Sequence, residues 1–220
     1  QPTRPLVGRP YRGLQVCSVH PLGGNSNTIL VVSTGSVVDF VGDAIVNAAN
    51  EGCITGGGVD LAVNLAGGPD LEKARAELPL VDKDRQIRCP TGEARVTIGG
   101  CLKVPYCIHA VGPNYDVLYY DEGKSLEEGD ALVAKAYASA IECAQQKRVG
   151  TIAFALISAS IFKGPQKLMK VLKAGIDGIQ TALYPELQEV HLVAFKDDER
   201  EALETLCGEV LGYAQGSFGE

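Results

Sequence analysis

"DAIVNAANEGCITGGGVD", residues 43–60, is the stretch on which the reading of this chain turns. Its first half, 43–49, is a short apolar run suited to a strand. That run hands two amides, Asn47 and Asn50, to its carboxyl end. Gly56, Gly57 and Gly58 follow, and Val59 and Asp60 open a helix. A turn of bare backbone lets a ligand approach helix N–H groups directly, beside an amide and a carboxylate. Each residue type also has a local reading. Asparagine makes turns, glycine makes flexible loops, and aspartate caps helices.

Outward from this stretch, apolar runs alternate with helical patterns. Residues 27–33, 93–99, 106–112, 150–158 and 189–195 read as strands, and 14–19 as an edge strand. The longest helical pattern covers 125–146, with Leu132, Ala136, Ala140 and Ala144 repeating at i+4 beside Val133, Tyr137 and Ile141. Residues 167–183 and 198–214 predict two more helices. Two shorter ones fall near 59–67 and 69–78, the second opened by Pro69. The alternation predicts a three-layer α/β/α sandwich around a mixed, mostly parallel sheet. In such sheets ligands bind at the carboxyl ends of the strands, where the informative segments lie.

Bulk properties narrow the function. The 220 residues suit one large domain, here 13–220, after an extended Pro/Arg arm over 1–12. The formal charge of −7 argues against a general nucleic-acid binder. It leaves room for a small phosphate-bearing ligand held by backbone N–H groups. No apolar run reaches the roughly 18 residues of a membrane span. The seven cysteines are odd in number and lack a CxxC pair, which suggests free thiols in a reducing compartment, cytoplasmic or nuclear. None is spaced for zinc, and no metal or redox cofactor is called for.

Three further segments could join the site. "FALISASIFKGP" (154–165) ends a buried strand in Ser158, Ala159 and Ser160, small residues that suit either a pyrophosphate cradle or a tight strand-to-helix connection. "CIHAVGPNY" (107–115) places His109 in an apolar strand, as a core histidine or a catalyst, before a Gly-Pro-Asn turn. "CPTGEARVT" (89–97) is a turn that leads into a strand at Glu93.

Taken together, "DAIVNAAN", "GGGVD", "CPTGEARVT", "IHAVGP" and "IAFALISASIF" resemble the macrodomain family, the ADP-ribose-binding module, in order and spacing over roughly residues 28–205. The resemblance implies about six strands and a cleft for ADP-ribose across the strand ends. It implies that Asn50 bonds the distal ribose and that Asn47 lies beside the ligand. Gly56 to Val59 would line the first phosphate loop. Ser158, Ala159, Ser160, Ile161 and Phe162 would line the second, with Phe162 over the distal ribose. Ser36 and Val37 fall where relatives grip adenine. Asp60 after the glycine run is similar to the MacroD-type hydrolase branch, which implies removal of ADP-ribose from acidic side chains, with ADP-ribosylated proteins as partners. Alternatives are a non-catalytic reader, an ADP-ribose 1″-phosphate phosphatase and an O-acetyl-ADP-ribose deacetylase. This chain departs from the family pattern in three places. Ser36 replaces an aspartate, Asn64 a histidine, and Ser160 a glycine.

Overall fold

A computed structural model describes residues 4–23 and 27–214. Gln1–Thr3 of the expected arm and residues 215–220 of the expected domain lie outside the described residues. The strands are β1 (Pro10–Tyr11), β2 (Leu14–Pro21), β3 (Ile29–Thr34), β4 (Ala44–Ala49), β5 (Ala94–Ile98), β6 (Tyr106–Val111), β7 (Thr151–Ala155) and β8 (Glu189–Ala194). The helices are α1 (Val59–Ala76), α2 (Leu126–Gln146), α3 (Leu168–Thr181) and α4 (Asp197–Leu211).

The sheet has eight strands in the order β1-β2-β3-β8-β7-β4-β6-β5, which corrects the expected six. Its central ladders, from β3 through β6, are parallel, and β1, β2 and β5 pair antiparallel at the flanks. The strand that the sequence hides is β1. Pro10–Tyr11, inside the expected arm, pairs with Leu14–Gln15 and buries the Tyr11 ring.

Side-chain alternation along the strands separates two cores. Ala44, Val46, Ile152 and Phe154 face a layer of α2, α3 and α4. Ile45, Ala153 and Cys107 face α1 through Val63 and Leu71. Helix α2 buries Val133, Ala136, Tyr137, Ala140, Ile141 and Ala144, the stripe that its 3.6-residue pattern predicts, and it opens with a Ser125–Glu128 capping box. The two expected short helices are both present, numbered together as α1; they meet at Gly68, where φ is 67° just before Pro69. None of the described helices is long and apolar enough to cross a membrane.

One irregularity positions the site. β4 pairs with β6 along all of Ala44–Ala49, but with β7 only from Ala44 to Val46. Beyond Val46 the β4–β7 ladder ends, and the chain from Ala48 onward borders a gap at the carboxyl ends of the strands.

Candidate functional site

A cleft of about 550 Å³ occupies these strand ends. One wall is the loop from Asn50 into α1, and the other is the loop that follows β7. Gly35 and Ser36 after β3, and Phe195 and Lys196 after β8, complete the rim. Every residue that the resemblance placed at the ligand lines this cleft except Asn47, and His109, the possible catalyst of the apolar strand, does not line it either.

The glycine run has three different roles. Gly58, the residue before α1, takes φ 59° and ψ −129°, a conformation that favours glycine. A Cβ on Gly56 would lie 2.7 Å from Asp60 Oδ2 and 3.1 Å from Asn50 Nδ2, so glycine is needed there for space. Gly57 faces open volume, and a Cβ there would meet nothing within 4 Å.

Asn50 is held by its own loop. Its Nδ2 donates to the Thr55 carbonyl at 2.9 Å, and its Oδ1 accepts from Cys53 N–H at 3.2 Å. One amide hydrogen remains to donate to a ligand.

Asp60 does not cap α1. It is 3% exposed, and its Oδ1 accepts from Asn47 Nδ2 at 2.6 Å and from Arg75 Nη2 at 2.7 Å. Its Oδ2 has no partner among the described residues. Asn47 is fully buried behind Asp60, which corrects the expectation that it touches the ligand. Its Nδ2 also reaches His109 Nδ1 at 3.2 Å, and His109 Nε2 meets Thr97 Oγ1 at 2.9 Å. Burial, with the nearby charge of Arg75, pushes the His109 pKa down to about 3, so the ring is neutral at physiological pH. A neutral ring that accepts at Nδ1 donates at Nε2. The Asn47 amide therefore turns its NH₂ toward both Asp60 and His109. Its Oδ1 is left without a partner among the described residues. His109 is a satisfied core histidine, as one local reading held, and it also orients the site.

The second wall is shaped by backbone. Ser158 sits at φ 56°, and its hydroxyl donates to the Pro113 carbonyl at 2.7 Å, away from the cleft. Ser160 Oγ accepts from Lys196 Nζ at 3.2 Å across the rim. Ile161 is 82% and Phe162 38% exposed, leaving an apolar lip at one end of the cleft. At the opposite end Ser36 lines the cleft and makes no cap bond to the helical turn it precedes. Neither nearby aspartate competes with it. Asp39 pairs with Lys103 at 3.2 Å, and Asp43 accepts from Gly150 N–H at 2.9 Å and Thr151 N–H at 2.8 Å.

Sequence reading missed Arg75, Phe195 and Lys196. The last two were findable, because Phe195 ends and Lys196 follows a run that reads as a strand. No group of three or more His, Cys, Asp or Glu able to hold a metal ion occurs among the described residues.

The Macro domain family model matches residues 46–171, which include the second half of β4, the glycine run, β7 and the second loop. A macro domain-containing protein of Cupriavidus necator is 39% identical, over 77% of this chain and 91% of its own length. This chain belongs to the macro domain family. The macrodomain is also 34% identical to a Pantoea vagans protein named O-acetyl-ADP-ribose deacetylase 1, over 76% of this chain and 91% of the relative. Among solved structures, an Oceanobacillus iheyensis macrodomain with ADP superposes with a TM-score of 0.72 at 25% identity, covering 85% of this chain and 94% of that one. The cleft of this macrodomain therefore sits in a fold that holds a nucleoside diphosphate in a relative.

Proposed function

We propose that this macrodomain binds ADP-ribose in the strand-end cleft and hydrolyses an ester at the distal ribose, with mono-ADP-ribosylated acidic side chains of proteins as the leading substrate class. One observation carries the reading. At the distal end, an unpartnered carboxylate oxygen, Asp60 Oδ2, lies beside the ligand-facing amide of Asn50. A buried acceptor without a donor is costly, and native structures rarely keep one without a use.

Asn50 would fix the ribose hydroxyls, and the bare backbone of Gly56–Gly58 would receive the diphosphate at the start of α1. A water donating to Asp60 Oδ2 would be aimed at the anomeric carbon. As water adds, the bond to the acyl oxygen breaks, and the released carboxylate leaves with its electron pair. The water proton passes to solvent through Asp60 or a substrate phosphate oxygen. Orientation of the water by Asp60 supplies most of the effect.

The same atoms would serve deacetylation of O-acetyl-ADP-ribose, a reading favoured by the name of the Pantoea vagans relative. The test is incubation with a protein mono-ADP-ribosylated on glutamate and, in parallel, with O-acetyl-ADP-ribose, followed by mass spectrometry. Release of free ADP-ribose from the protein supports the leading reading, and release of acetate alone supports the second. Saturable binding without release from either identifies a reader.

A further inference from the structure

Among the described residues Arg75 heads the largest fully buried side chains, and the function proposed above gives it no task. A buried guanidinium demands a counter-charge and several acceptors. It finds three. Nη2 donates to Asp60 Oδ1 at 2.7 Å, Nη1 to Asn64 Oδ1 at 3.2 Å, and Nε to the Cys53 carbonyl at 2.9 Å. Two of these acceptors lie in the first half of α1. The third lies in the loop between Asn50 and the glycine run. Arg75 itself lies beyond the Gly68–Pro69 break. One planar fork thus ties both halves of α1 to the loop that carries Asn50.

Burial alone would be served by any arrangement that satisfied both carboxylate oxygens. Here Arg75 and Asn47 both load Oδ1, and Oδ2 is left buried and unpartnered beside Gly56, near the Asn50 amide. A terminal carboxylate rotor has only a broad, roughly two-fold preference of its own. Two donors on one oxygen remove that freedom.

We infer that Arg75 is a positioning residue: it sets the rotation of the Asp60 carboxylate and its distance from Asn50, so that Oδ2 alone meets the distal ribose end of the ligand. Asn64 is its second anchor, which gives a task to a residue that departs from the family pattern. The inference rests on the proposed reading for where the distal ribose lies, but it does not require turnover.

The test compares ADP-ribose with ADP, which lacks the distal ribose. Arg75→Lys keeps the charge but cannot span three acceptors as a planar fork. In this variant, ADP binding by calorimetry should stay within about twofold of wild type, while ADP-ribose binding weakens about three- to tenfold. Ester turnover should fall about 10- to 100-fold, mainly in kcat, because misplacement of a positioned group costs the chemical step more than binding. A merely structural arginine would lower Tm and weaken both ligands equally, or neither, and either result overturns the inference. If Arg75→Lys does not fold, Asn64→Leu removes only the Nη1 acceptor and should cut the preference for ADP-ribose over ADP about two- to threefold. An unchanged preference in that variant also overturns it. If wild type hydrolyses no ester yet the preference falls, the hydrolase reading fails and the positioning role stands. If wild type turns over and Arg75→Lys changes neither turnover nor preference, the positioning role fails and the hydrolase reading stands.

Discussion

Two buried histidines, His109 on β6 and His191 on β8, each anchor a polar network inside the sheet, and the networks end differently. His191 accepts from Ser33 Oγ at 3.0 Å and faces Glu189 Oε2 at 3.4 Å. Glu189 in turn accepts from Tyr11 Oη at 2.9 Å and Arg12 Nε at 2.6 Å. None of these side-chain atoms lacks a partner among the described residues. The His109 network runs through Asn47 to Asp60 and Arg75, and stops at two unpartnered oxygens, Asn47 Oδ1 and Asp60 Oδ2. Burial drives both imidazoles toward neutrality, so protonation state does not separate them. What separates them is closure. A closed network holds structure, whereas an open one at a cleft keeps bonding capacity for something that arrives.

Substitution at the open end should remove most of the chemistry, and it should also cost stability, because Asp60 is the counter-charge of the buried Arg75. Asp60→Ala should lower ester turnover by about 10²–10⁴, the range for a positioned acid–base group, while ADP-ribose affinity changes less than about tenfold. Turnover equal to wild type, read by mass spectrometry, would remove the distinction between the networks.

The closed network should lose stability alone when it is cut, with chemistry and binding untouched. Burial alone would raise the Glu189 pKa, but hydrogen bonds from His191, Arg12 and Tyr11 outweigh it and hold the carboxyl down at about 2. Its stabilisation is complete above the unfolded value, near 4.5, and is lost as pH falls toward about 2. Glu189→Gln should therefore cost stability at pH 7, with about 3 kcal/mol as the ceiling. The gap to wild type should narrow as pH falls from about 4.5 toward about 2, and ADP-ribose affinity should not change. Urea melts across this pH range are the measurement, and a gap that widens on acidification contradicts the assignment.

Gly56→Ala sharpens the contrast from within the cleft. Its methyl would meet Asp60 Oδ2 at 2.7 Å and must push that oxygen or Asn50 aside. Turnover should fall about 10- to 100-fold with an unchanged circular dichroism spectrum. Gly57→Ala, facing open space, provides the control and should retain the wild-type spectrum.

The smallest effect is expected at the adenine end. Ser36 offers a neutral hydroxyl, and Glu199 Oε2 is engaged by Phe195 N–H at 2.9 Å and Lys196 N–H at 3.1 Å. Ser36→Asp exchanges a neutral hydrogen bond for a charge-assisted one and should tighten ADP-ribose binding about five- to tenfold. The inosine analogue lacks the amino group and should gain nothing. Equal gains for both ligands would show that Ser36 does not face the adenine edge.

The elements that sequence made legible were those with strong periodicity or punctuation. Helix α2 showed its stripe, the break in α1 was marked by Gly68–Pro69, and the glycine run pointed to the cleft. β1 was hidden because two residues, one of them a proline, carry no period. Arg75 was hidden for a different reason. An arginine on an amphipathic helix reads as a solvated charge, and only the fold brings Asp60, Asn64 and the Cys53 carbonyl around it. Asn47 and Asn50 share one motif but lie on opposite sides of Asp60, because strand geometry buries the first and the loop exposes the second.

The Pro10–Tyr11 pairing has a consequence unrelated to ligands. None of its residues lines the cleft. It covers the outer margin of β2, and Pro10 has no N–H to offer another strand. Without it, part of an eight-residue strand would present unpaired backbone to solvent, a template for joining one molecule to the next. Colloidal behaviour in concentrated solution thus depends on a segment with no part in recognition.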